Sequence, residues 1–196
     1  MIQTARLTLR RFTATDWRDL HEYLSDPEVV RYEPYGVLSE AECRSEAVRR
    51  AADAAFWAVC LTADGKLIGN VFLARGECDT WELGYVFSAC YHGQGYATEA
   101  VSAVVDHAIA QCAARRIVAS CNPENERSWR LLERLQLRRE GHQLQNVSFR
   151  TDGAGRPIWQ DTYDYALLAS ERPTAGTGEE SPATPRRSAG ESSRMC

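Results

Sequence analysis

Lysine is almost missing from this chain: Lys66 is the only one in 196 residues, and every other basic side chain except histidine is arginine. A phosphate loop of the Walker type, which needs Gly, four residues, then Gly-Lys-Ser/Thr, is thereby excluded, because Lys66 is followed by Leu67. Long apolar runs are absent too. None approaches the ~18 residues of a membrane span, and Met1-Ile2-Gln3-Thr4-Ala5-Arg6 carries no hydrophobic signal segment. These absences predict a soluble, cytoplasmic protein. The seven cysteines, at 43, 60, 78, 90, 112, 121 and 196, lack any Cys-x-x-Cys spacing. Neither a disulfide framework nor a metal site is signalled, and most read as small buried hydrophobes. Net charge is −4 with both signs interspersed, so no basic face points to nucleic acid and no polybasic run to an anionic membrane.

The length suits one domain with a substantial core, assigned to 1–170, followed by a tail over 171–196 rich in Pro, Ser, Thr, Gly and Arg, which predicts disorder. Arg6–Phe12 alternates Leu7 and Leu9 with polar residues and predicts a strand. Thr15 and Asp16 start a helix whose face carries Trp17, Leu20, His21 and Leu24, and Ser25-Asp26-Pro27-Glu28 predicts a second short one. Ser39-x-x-Glu42 is a capping box opening a third helix that runs to about Ala55. Strands follow at Phe56–Leu61 and Leu67–Ala74, joined through Asp64-Gly65, and a third at Thr80–Phe87.

The run Tyr91-His92-Gly93-Gln94-Gly95-Tyr96-Ala97-Thr98-Glu99-Ala100 then joins that third strand to a helix. Ala97, Ala100, Val101, Val104, Val105, Ala108, Ile109 and Cys112 make a broad apolar stripe at helical spacing. A helix start leaves backbone N–H groups unpaired and partly positive, so a loop of small residues feeding it suits a phosphate. A Rossmann fingerprint fails here, because Thr98 stands where a third glycine or alanine belongs and Val118 where an acidic residue should follow. Ile117–Cys121 predicts a strand parallel to Thr80–Phe87, reached over the helix. Asn122-Pro123-Glu124-Asn125 starts another helix, ending at Gln136-Leu137, and strands near His142–Arg150 and Pro157–Leu168 close the domain as a hairpin.

The segment His92-Gly93-Gln94-Gly95-Tyr96-Ala97 resembles the pyrophosphate loop of the GCN5-related N-acetyltransferases, with His92 standing where that family usually has Arg or Gln. The segments Ser25-Asp26-Pro27-Glu28-Val29, Gly93-Gln94-Gly95-Tyr96-Ala97-Thr98-Glu99-Ala100, Asn125-Glu126-Arg127-Ser128 and Trp159-Gln160-Asp161-Thr162 are similar to the RimJ/RimL subgroup, although Gln136 replaces its usual helix-ending glycine. The resemblance implies a mixed α/β fold: a mostly antiparallel sheet of about seven strands, splayed between the fourth and fifth, flanked by four to five helices. It implies acetyl-CoA as cosubstrate, no metal, and transfer to a primary amine, a protein N-terminus or a small molecule, by direct attack in a ternary complex. A homodimer is compatible with it. The cofactor contacts it implies are Tyr85, Val86 and Phe87 along the splay, with a β-bulge at Gly84, then His92, Gly93, Gln94, Gly95, Tyr96, Ala97 and Thr98, with Asn125 and Ser128 on the next helix. Asn125 is equally suited to cap that helix, and Ser128 to a solvated first turn.

Catalytic candidates are Glu82 as base, on the opposite face from Leu83; Asp161 as the alternative; and Ser128 to protonate the departing thiolate. Glu82 reads equally as a surface carboxylate, and Asp161 as a partner for an arginine across the hairpin. Glu33 and Tyr35 line the expected acceptor mouth or an ordinary surface loop. An α-amine needs little help from a base near neutral pH, whereas an alkyl amine of pKa about 10.4 does. The other function left open is an acyl-CoA-binding regulatory module without turnover, which thiol release with an amine panel distinguishes.

Overall fold

The computed structural model describes residues 1–172. Its elements run β1 (Ile2–Gln3), β2 (Leu7–Arg10), α1 (Trp17–Leu24), α2 (Glu40–Ala52), β3 (Phe56–Leu61), β4 (Leu67–Arg75), β5 (Thr80–Phe87), α3 (Tyr96–Cys112), β6 (Arg116–Cys121), α4 (Glu126–Arg134), β7 (Arg138–Val147) and β8 (Gln160–Leu168). They build one eight-stranded sheet in the order β1-β2-β3-β4-β5-β6-β8-β7. β5 and β6 pair in parallel and the other neighbours antiparallel, as a connection over α3 requires. The strand beyond the expected seven is the two-residue β1.

Two apolar layers cover the sheet. On one face Ala100, Val101, Val104, Val105 and Ala108 of α3 and Leu131 and Leu132 of α4 are buried with Leu9, Val59, Val71, Leu83 and Ile117. On the other, Leu20, Tyr23 and Leu24 of α1 and Cys43 and Ala47 of α2 pack with Ala58, Cys60, Leu67 and Val86. The two sets of strand residues alternate along β3, Ala58 and Cys60 facing one layer and Trp57 and Val59 the other, as the period of a strand dictates.

Several local expectations are corrected. No helix forms at Ser25–Glu28. The Asp26 carboxylate takes the Glu28 N–H at 2.9 Å, and the Asp26 carbonyl takes those of Val29 and Val30, so the chain makes one Asx-stabilised turn that does not propagate. The Ser39–Glu42 capping box is present, but α2 ends at Ala52. No bulge occurs at Gly84: the β4–β5 register runs unbroken from Gly69↔Phe87 to Arg75↔Trp81, with Gly84 opposite Phe72. β7 begins at Arg138, directly after the α4 turn, because Gln136 accepts a left-handed φ of 68° and reverses the chain without glycine. Glu171 and Arg172 are docked: Arg172 donates to Asp106 at 2.8 Å and to Ser102 at 2.6 Å, and the rest of the expected tail, 173–196, lies outside the described residues.

Candidate active site

The splay in the sheet creates the site. β5 and β6 are paired only from Thr80↔Arg116 to Glu82↔Val118; beyond that β6 stays with β8 as far as Cys121, while β5 stays with β4 to Phe87. The β6-facing edge of β5 from Leu83 onward is therefore left without a strand partner. Two cavities meet there. The first, about 810 Å³, runs along Tyr85, Val86 and Phe87 to the glycine loop and α4. The second, about 450 Å³, lies between β5, β6 and the β7–β8 strands.

The glycine loop is built for close backbone approach. Gly93 and Gly95 both have left-handed φ, 74° and 82°, and a Cβ on Gly93 would meet no protein atom within 4 Å. Gly95 is the N-cap of α3 without a side-chain cap, and the Glu99 N–H makes the first helical bond back to it at 3.0 Å. That geometry leaves the N–H groups of Tyr96, Ala97 and Thr98 without helical partners, and all three residues line the first cavity. Arg6, in the turn between β1 and β2, fixes the loop: its Nε donates to Glu99 at 2.7 Å, its Nη1 to the Gln94 carbonyl at 3.0 Å, and its guanidinium lies 4.4 Å from the Tyr96 ring centre. Burial would raise the Glu99 carboxyl, but hydrogen bonds from Thr4 and Arg6 hold it below the usual carboxylate range.

Of the expected cofactor contacts, Tyr85, Val86, Phe87, His92, Gly93, Gly95, Tyr96, Ala97, Thr98, Asn125 and Ser128 line the first cavity. Gln94 does not; its side-chain amide turns back onto the Cys90 carbonyl at 3.3 Å. Asn125 accepts from the Ser128 N–H at 3.2 Å and so caps α4 while lining the cavity.

Arg127 was not singled out by sequence reasoning, although it stands inside the Asn125–Ser128 motif. Its Nη1 is 3.0 Å from His92 Nδ1, and His92 Nε2 is 3.1 Å from the Phe87 carbonyl. Arginine only donates, so Nδ1 accepts and the ring proton sits on Nε2, donated to Phe87. Both imidazole nitrogens are thus engaged, and the cationic group beside the loop is Arg127, joined along α4 by Arg130 and Arg134 on the same cavity wall.

The second cavity differs from the mixed lining of the first, where Glu28, Glu33, Glu124 and Glu126 accompany the arginines. Glu33, Glu82, Asp161 and Asp164 line it, and its lining contains no arginine, lysine or histidine. Glu82 is exposed on β5 while Leu83 is buried, the alternation expected of the strand. Asp161 accepts from the Gln145 N–H at 2.8 Å and pairs with His142 at 2.9 Å rather than with an arginine; these contacts, the backbone one first, hold its carboxyl below the usual range. Four side chains line both cavities: Tyr32, Glu33, Tyr85 and Ser128. The Tyr85 hydroxyl is 3.0 Å from both Ser128 Oγ and the Ser128 carbonyl, and burial pushes its pKa up, which keeps the phenol protonated. Tyr35 lines neither cavity; it packs against the apolar layer of α1 and α2. Among the described residues no cluster of potential metal ligands occurs, and no helix is long and apolar enough to cross a membrane.

Comparison with known proteins agrees with this geometry. Residues 6–138 match a family model described as an acetyltransferase (GNAT) domain. The chain is 34% identical over 173 residues to the uncharacterized N-acetyltransferase YnaD of Bacillus subtilis (strain 168), covering 87% of this chain and 98% of that protein. A GNAT-family acetyltransferase from Bacillus anthracis superposes with a TM-score of 0.79 at 34% identity, over 87% of this chain and 99% of the other. A spermidine N-acetyltransferase from Vibrio cholerae, solved in complex with CoA and spermine, shares the fold with a TM-score of 0.72 at 21% identity, over 86% of this chain and 98% of the other. A strand–glycine loop–helix unit at a splayed sheet, a matching family model and relatives of full length lead to one conclusion: the chain belongs to the GNAT acetyltransferase family and is an acyltransferase enzyme.

Proposed function

We propose that this enzyme transfers an acetyl group from acetyl-CoA, held in the first cavity, to a primary amine that enters through the second. The observation that carries the reading is the arrangement at the splay: the glycine-loop helix start and the α4 arginines Arg127, Arg130 and Arg134 stand with Arg31 among the glutamates Glu28, Glu33, Glu124 and Glu126 in one cavity, carboxylates without a basic residue line the other, and the two meet at Tyr85 and Ser128. The one-sign lining of the second cavity draws a cationic acceptor, and the helix start with its neighbouring arginines suits the pyrophosphate of the donor. The loop N–H groups would hold the pyrophosphate and the unpaired edge of β5 the pantetheine amides, which aligns the thioester with the amine. Ser128, supported by the Tyr85 hydroxyl, would supply a proton to the departing thiolate. Glu82 and Asp161 would hold the incoming cation on the acceptor side. On its four motifs, we infer that the chain stands with the RimJ/RimL subgroup within the family.

Arg127→Ala is expected to weaken acetyl-CoA binding by about 10- to 100-fold, the equivalent of one charged hydrogen bond in calorimetry. Retained affinity would mean that the guanidinium does not face the donor. The acceptor class is tested by following thiol release with acetyl-CoA and a panel of diamines, monoamines and N-terminal peptides. Di- and monocationic amines should be turned over in preference to neutral or acidic peptides; donor binding without thiol release for any amine would favour a regulatory module instead.

A further inference from the structure

We propose that Glu33 takes the proton from the attacking amine, a role that rests on the acetyl transfer proposed above. The reaction must occur where donor and acceptor meet, and of the four side chains lining both cavities Glu33 is the only carboxylate. Glu82 and Asp161 line the second cavity alone. Asp161, engaged by Gln145 and His142, is a poor base because those contacts stabilise its ionised form.

The backbone that carries Glu33 is held by its own turn and by Arg150. The Glu33 N–H donates to the Val30 carbonyl at 3.1 Å. Arg150, from the connection between β7 and β8, donates to that same carbonyl at 2.9 Å and also to the Arg31 carbonyl. Arg50 of α2, only 3% exposed, lies close enough for its charge to act on the Glu33 carboxyl. Burial pushes the Glu33 carboxyl up to about 7, against the opposing pull of the Tyr35 hydroxyl and the Arg50 guanidinium. The charged and titratable groups around it are Tyr32 and Tyr35 on its own loop with Glu28 and Arg31 just before it, Arg50 from α2, Tyr85 from β5, Tyr91, His92 and Tyr96 of the glycine-loop segment, Glu124, Glu126, Arg127, Arg130 and Arg134 at and along α4, and Glu82, Cys121, Asp161 and Asp164 across the second cavity. A base with a pKa near the working pH is suited to this transfer.

The step balances. The ammonium gives one proton to the Glu33 carboxylate, and the freed lone pair bonds to the thioester carbonyl carbon. The C–S bond breaks with its electron pair on sulfur. The thiolate takes a proton through the Ser128 hydroxyl, which is replenished by the second N–H proton, and Glu33 releases its own to water.

The test measures steady-state CoA release across the neutral range with an alkyl amine of pKa about 10.4, for wild type, Glu33→Gln, Glu33→Asp and Glu82→Gln. Glu33→Gln should lower kcat by roughly 10²–10⁴-fold and remove the acid limb near pH 7, with acetyl-CoA affinity and melting temperature retained. Glu33→Asp should keep the limb at a reduced rate, and Glu82→Gln should raise KM while keeping the limb. A Glu33→Gln rate close to wild type with the limb intact would overturn the role of Glu33 alone. A wild-type enzyme that releases no CoA with any amine would overturn the reaction and this role together.

Discussion

Gly95→Val is expected to lose nearly all affinity for acetyl-CoA. The N-cap of α3 sits at φ 82°, ψ −2°, with the free N–H groups of the first helical turn just beyond it. Gly95 lines the first cavity, and a side chain there crowds the loop against Arg6, which fixes it, so the N–H groups are displaced from the pyrophosphate. Losing two hydrogen bonds to a charged group, each about 1.5–3 kcal/mol, lowers affinity by at least ~100-fold. The substitution also forces a β-branched residue into the left-handed region at a cost of roughly 1–2 kcal/mol, with its Cβ 3.4 Å from Arg6 Nη2. Gly95→Asn separates the two effects, since asparagine tolerates this backbone. Its stability should approach wild type while binding stays weak. Calorimetric affinity unchanged in both variants would remove the loop from donor binding.

Arg50→Ala should produce the largest loss of stability among single side-chain truncations near the site. Arg50 Nε donates to Glu46 at 2.7 Å and Nη1 to Asn70 at 2.8 Å, and Asn70 also accepts from the Tyr23 hydroxyl at 2.9 Å. Removing the guanidinium leaves a buried amide oxygen half-satisfied and the Glu46 carboxylate, only 19% exposed, without its inner partner. Breaking one side of a buried ion pair costs about 3–5 kcal/mol, and denaturant unfolding should show a shifted midpoint at unchanged slope. A shift within the range of a surface ion pair, below about 1 kcal/mol, would show that water already supports this network.

The elements governed by periodicity were legible in the sequence. The apolar stripe of α3, the Ser39–Glu42 capping box, the hairpin at Asp64-Gly65 and the parallel β6 all follow from spacing and turn chemistry, and all are present. So was the glycine loop between β5 and α3, where Gly93 and Gly95 take the left-handed φ that glycine allows. What the sequence hid depends on contacts between distant segments. Arg50 lies in Glu40–Ala52, a segment so rich in charge that it reads as solvated, yet Asn70 and Glu46 draw that one arginine inside. His92 looks like a weakened phosphate ligand until α4 brings Arg127 against it. The place of Glu33 between two cavities is set by β5, α4 and the Arg150 clamp, none of which is adjacent in sequence. Pro27 and the acidic residues around it suggested a helix start, but local Asx bonding closed the turn first.

The most direct measurement of the account is the mass of every species after the enzyme is incubated with acetyl-CoA, with and without a diamine. Free CoA and mono-acetylated diamine are expected in equal amounts, with no product without the amine and a protein mass that stays unchanged throughout. Donor consumption with an acetylated protein, or tight donor binding with no acetylated amine, would contradict direct transfer between the two cavities.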